Sequence, residues 1–103
     1  MPVPARSTSA TPGPLRAYLT RLEQLADVLA RSGLRSRVVA PPGRAPCLHV
    51  VNPATVALAE DIYTGRDGDG CWWYWWPWAE PIAPGTDPEA AAARIAHVLA
   101  VSG

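Results

Sequence analysis

Between Pro14 and Ser32, apolar residues recur at three- and four-residue spacing. Leu15, Tyr18, Leu19, Leu22, Leu25, Val28 and Leu29 make one apolar stripe, with Arg16, Thr20, Glu23, Gln24, Asp27 and Arg31 on the wet side. That pattern predicts an amphipathic helix. Pro14 suits its first turn, and Gly33 offers the left-handed conformation that ends one. A second helix is predicted from Thr86-Asp87-Pro88-Glu89, which supplies an N-cap acceptor, a first-turn proline and a first-turn acid. Ala91, Ala92, Ile95, Val98 and Leu99 form its apolar stripe, to about Val101.

Between the helices the period drops to two. Leu34–Ala40 places Leu34, Ser36 and Val38 on one face and Arg35, Arg37 and Val39 on the other. Pro41-Pro42-Gly43 reads as a turn, and Pro46–Val51 as the returning strand, with Leu48 and Val50 opposite Cys47, His49 and Val51. Asn52-Pro53 closes it. From Ala54 the backbone is expected to be irregular or helical to about Leu58, then strand through Ile62, Tyr63 and Thr64. Arg66–Gly70 (RDGDG) reads as a hairpin loop.

The tryptophan stretch follows. Cys71–Trp76 (CWWYWW) predicts a strand, since aromatic side chains favour a pleated, half-buried surface. All five tryptophans lie at Trp72, Trp73, Trp75, Trp76 and Trp78. Alternation sets Trp72, Tyr74 and Trp76 on one face and Cys71, Trp73 and Trp75 on the other. Either face of this strand could be the outward one. Pro77 stops the ladder because it has no N–H to donate, and Trp78–Pro84 is expected to be an extended edge or loop that ends the sheet. The order is helix, four strands in two hairpins, helix. Two amphipathic helices need a common apolar surface, which predicts an α+β two-layer sandwich, αββββα, as one domain over residues 14–103 behind a disordered tail at 1–13.

The 103 residues are 49% hydrophobic, which argues against global disorder. No apolar run approaches the roughly 20 residues of a membrane span, and the N-terminus has no apolar signal core. A cytoplasmic chain without a membrane partner is expected. Nine acidic and nine basic residues cancel, and all the basic ones are arginine. Zero net charge weighs against a dedicated nucleic-acid binder, whose affinity comes largely from phosphate neutralisation. Cys47 and Cys71 are expected as reduced structural thiols, with a disulfide open only if their strands are neighbours.

Candidate chemistry is thin. Cys47, His49, Cys71 and His97 could supply zinc ligands or a Cys–His pair, but no usual ligand spacing is present and no acid is placed to orient an imidazole. RDGDG lacks the closing bidentate Glu of a calcium loop, so it reads as a solvated turn. No cofactor or metal is expected, and no enzymatic activity. Arg31, Arg35, Arg37 and Arg44 gather near the first hairpin, where with exposed aromatics they could stack on bases. The helix–sheet–helix order resembles double-stranded RNA-binding domains, yet the start of the second helix reads TDPEAAAA where those carry lysines.

An exposed aromatic patch marks an interaction site. The sequence reading is therefore a non-enzymatic protein-interaction module, regulatory or adaptor in kind. Trp72, Tyr74, Trp76 and Trp78 would form the binding surface, with Arg35 and Arg37 at its rim. Its partner would be another protein or a second copy in a homodimer. The alternative is nucleic-acid or small-ligand binding through exposed Trp and Arg side chains. The stretches LHVVNP (48–53), WWYWWPWAEPI (72–82) and DPEAAAARIAHVL (87–99) resemble a group of small uncharacterised actinobacterial proteins with an NP … W-W-x-W-x-x-x-I signature and a terminal helix. Members are often encoded near helix-turn-helix regulators, so the resemblance implies a regulatory partner role, and the group has no assigned catalytic activity to carry over.

Overall fold

A computed structural model describes residues 13–54 and 58–99. The elements are α1 (Gly13–Arg31), β1 (Arg35–Val39), β2 (Cys47–Val51), β3 (Ala59–Arg66), β4 (Trp72–Trp75), β5 (Pro81–Pro84) and α2 (Pro88–Leu99). The class is α+β, with one antiparallel sheet in the order β1-β2-β3-β4-β5. The expected four strands are five. The correction falls at Pro81–Pro84, expected as an edge or loop: it pairs with β4, and Pro81 and Pro84 are tolerated because β5 is the sheet's last strand. The strands also form a continuous meander, because β2 pairs with β3 along Leu48↔Ile62 to Val51↔Ala59 and so joins the two expected hairpins. The expected tail, the stretch around 55–57 and the end of the second helix beyond 99 lie outside the described residues.

Register decides which side chains share a face. Val38, Leu48 and Ile62 form one row, and Thr64, Tyr74 and Ala83 another. Leu48, Val50, Ile62 and Tyr74 are fully buried in one cluster with Leu22, Leu25 and Leu29 of α1 and with Ala91, Ala92, Ile95 and Leu99 of α2. Both predicted helical stripes are therefore spent on the same sheet face. At about 1.5–3 kcal/mol for each large aliphatic side chain removed from water, this cluster is the main source of stability. Val98 departs from its expected place in the stripe and is 51% exposed.

Local chemistry closes the joints. Gly33, at φ +85°, ends α1, and Leu34 N–H donates back to Leu29 O at 3.1 Å. Asp87 caps α2 by accepting from Ala90 N–H at 3.0 Å. Asn52 ties the two layers at the far end, its Nδ2 donating to Leu99 O at 2.7 Å while its side-chain oxygen accepts from Ala54 N–H. That bond satisfies a helix-terminal carbonyl which has no partner within the helix.

Candidate functional site

The alternate positions of the strands carry the other face. Its rows are Arg35, Val51 and Ala59; Arg37, His49 and Asp61; Tyr63, Trp75 and Pro81; and Gly65, Trp73 and Pro84. None of these residues belongs to the buried core cluster, and Tyr63, Trp73 and Trp75 are half-buried. An antiparallel sheet with one wet face normally alternates apolar inward and polar outward. Here arginine, histidine and aspartate occupy one corner of the outward face, and three aromatic rings occupy the opposite corner.

The two indoles are fixed by their own chain. Trp73 Nε1 donates to Asp67 Oδ2 at 2.9 Å, and Trp75 Nε1 donates to Gly65 O at 3.3 Å. Their ring centroids are 6.4 Å apart and tilted by 47°. With both N–H groups satisfied, what the rings offer outward is apolar and π surface. Asp67 also accepts from Asp69 N–H and Cys71 N–H through Oδ1, so one carboxylate shapes the hairpin loop and orients Trp73. These bonds hold its carboxyl below the usual carboxylate range.

At the other corner, His49 Nδ1 and Asp61 Oδ1 are 2.7 Å apart, and each side chain is more than a third exposed. A carboxylate only accepts, so Nδ1 carries the hydrogen, and this corrects the expectation that no acid orients an imidazole: the β2–β3 register, not sequence spacing, sets Asp61 against His49. It is the only contact between a basic side chain and a carboxylate within 4 Å found among the described residues, which leaves Arg35, Arg37 and Arg44 without carboxylate partners there. A hollow of 430 Å³ is lined by Arg35, Arg37, His49, Val51 and neighbours. A second, of 400 Å³, runs past Arg44, Cys47 and Asp61 to Tyr63, and a third, of 410 Å³, runs from Tyr63 to Trp75 and Pro77. Tyr63 belongs to both of the last two, and the His49–Asp61 bond joins the first two. The hollows thus follow one another diagonally across the face, a trough in three parts from Arg35 and Arg37 to Trp75.

The residues expected to form the binding surface divide. Arg35, Arg37 and Trp78 are exposed, Trp78 by 57%. Tyr74 is fully buried, with its hydroxyl donating to Arg21 O at 2.9 Å, and burial pushes its phenol up to about 12. Trp76 is 8% exposed and stacks on Trp78, the planes 4° from parallel. Trp72 is half-buried against Tyr18, with the Arg21 and Arg66 guanidinium groups 4.5 and 5.3 Å from its ring centroid. So Trp72, Tyr74 and Trp76 serve packing, because their face of β4 continues the aliphatic face of Leu48, Val50 and Ile62 that the helices cover. The aromatics on the outward sheet face are Trp73, Trp75 and Tyr63, all half-buried, while the exposed Trp78 lies beyond β4. Tyr63 is not among the residues expected from the sequence; its signal is that odd residues of β3 face odd residues of β4, which ties Tyr63 and Trp75 to Asp61 and His49.

For other chemistry, Cys47 is buried and Cys71 exposed, and both are free thiols. Burial, reinforced by Asp61, pushes the Cys47 thiol up, only partly opposed by its hydrogen bond with Tyr63. That makes it a poorer nucleophile than an ordinary cysteine. No group of three or more His, Cys, Asp or Glu side chains able to hold a metal gathers among the described residues. No helix among the described residues is long and apolar enough to cross a membrane. No family model, curated protein or solved structure matches the chain.

Proposed function

We propose that this chain is a non-enzymatic protein-interaction module that docks its partner on the outward sheet face, through Trp73, Trp75 and Tyr63 with Arg35 and Arg37 at the rim. In this reading the fold is a two-layer sandwich: helices close one face, and a partner closes the other. The observation that carries it is the row pattern itself. Outward strand positions that would ordinarily be polar hold three aromatic rings whose polar atoms are largely spoken for within the chain. Large, rigid aromatic and arginine side chains dominate binding hot spots. The raised Cys47 thiol supports a non-catalytic role, and two free thiols suit a reducing, cytoplasmic setting. The resemblance to proteins encoded near helix-turn-helix regulators favours a regulatory partner.

Replacing Trp73 and Trp75 together by Thr tests this. The expected result is a retained cooperative melt with loss of apolar-dye binding and of partner or self-association. Collapse of the melt would make the rings core and end the proposal. A second reading has one observation in its favour: arginines and aromatic rings share one sheet face, the combination that holds single-stranded nucleic acid by phosphate contact and base stacking. It requires binding that weakens steeply with salt, whereas docking on apolar rings does not.

A further inference from the structure

We infer that the occupant of this face is a second copy of the chain, docked about a two-fold axis lying in the plane of the face, so that the arginine corner of each copy covers the aromatic corner of the other. The inference rests on the proposed role of the outward face and deepens it by naming the partner.

The sheet's edges do not favour growth. β1 is an unpaired edge whose outward side chains include Arg35 and Arg37, and two such edges meeting would oppose arginine to arginine. β5, the other edge, lacks a backbone donor at Pro81 and at Pro84. Association is thereby directed from the edges to the face.

The face is complementary to itself. One corner holds Arg35 and Arg37, without ion-pair partners among the described residues, and the other holds Trp73 and Trp75 beside the Asp67 carboxylate. Guanidinium groups already stack on an indole within this chain, at Trp72. Swapping the corners repeats that contact between copies and brings each arginine pair toward an aspartate. A uniformly acidic partner or a phosphate backbone would instead meet Asp61 in the trough and the Asp67 carboxylate beside Trp73. The formal net charge of zero removes the long-range repulsion that would oppose self-association.

The test is sedimentation equilibrium on the full chain from about 1 to about 500 µM, the range in which mass action populates a modest dimer. The expected result is a monomer–dimer equilibrium. Arg37→Glu should raise the dissociation constant at least about tenfold, and the same charge change on α2, Arg94→Glu, should leave it unchanged. An Arg35→Cys variant treated with a short bis-maleimide should link position 35 of one copy to Cys71 of the other. Links of 35 to 35 or 71 to 71 would overturn the geometry. A monomer throughout, with Trp73 and Trp75 open to iodide, would overturn the second copy while leaving the face a docking surface for another protein. A monomer whose Trp73 and Trp75 are shielded at every concentration would assign the face to the chain's own residues 1–12. Salt-sensitive quenching of a monomer by a single-stranded oligonucleotide would assign it to nucleic acid. Either result overturns the inference.

Discussion

Tyr74 shows what one side chain in the tryptophan stretch does. Its ring is fully buried and its hydroxyl donates to the Arg21 carbonyl, joining β4 to α1. Tyr74→Phe keeps the ring and loses that bond, so a loss of about 0.5–1.5 kcal/mol is expected in urea melts. The raised phenol adds a pH signature. A group whose folded pKa lies above its unfolded value stabilises fully below the unfolded value, here 10.0. That contribution is lost as pH rises from there through about 12. Wild-type stability should therefore fall across this window, and Tyr74→Phe should lack that component. Asp67 behaves oppositely: its depressed carboxyl stabilises above the ordinary carboxylate range and ceases to as pH falls below it. Asp67→Ala should lower the melting temperature at pH 7 and flatten its acid dependence. The mutant should also show altered near-ultraviolet circular dichroism from Trp73, whose Nε1 loses its acceptor.

Residue identities alone made the strand legible but not its outward face. Trp72, Tyr74 and Trp76 are as aromatic as Trp73 and Trp75, and alternation separates the two sets without ranking them. The ranking comes from register across β2, β3 and β4, where Leu48 and Ile62 fall in line with the helices and Asp61 and Tyr63 fall away from them. That is a cross-strand fact, carried by hairpin lengths and not by any single window.

At the scale of elements, the helices were readable because period and caps agree: Leu22, Leu25 and Leu29 are buried as their spacing required, and Asp87 caps α2. β5 was not, because two prolines in four residues suppress every propensity for a strand, and only pairing with β4 supplies one. Its return depends on two tight places. Gly85 N–H donates to Trp72 O at 2.7 Å, and a Cβ on Gly85 would lie 2.7 Å from Trp72 Cβ and 3.2 Å from its backbone. Gly85→Ala should therefore cost about 1–3 kcal/mol by thermal or urea melting, more than an exposed glycine replacement would. In the β4–β5 turn, Ala79 holds φ at +68°, where an L side chain is strained. Ala79→Gly should raise stability by up to about 1 kcal/mol while leaving the Trp76–Trp78 stack in place.

Across the whole molecule, the helices spend both apolar stripes on one sheet face, and the second face is left with aromatic rings at one corner and arginines at the other. On the wet face of an antiparallel sheet the positions of Tyr63, Trp73 and Trp75 are ordinarily polar. The presence of rings there is the ground for placing function on that face, and hydroxyl-radical footprinting read by mass spectrometry tests it most directly. At high dilution Trp73, Trp75, Tyr63 and Trp78 should be oxidised readily, and Tyr74 and Trp76 protected. As concentration rises, Trp73 and Trp75 should become protected while Trp78, which lines none of the three hollows, stays reactive. Oxidation of Tyr74 and Trp76 at dilution, with Trp73 and Trp75 protected, would contradict the account by turning the sheet over.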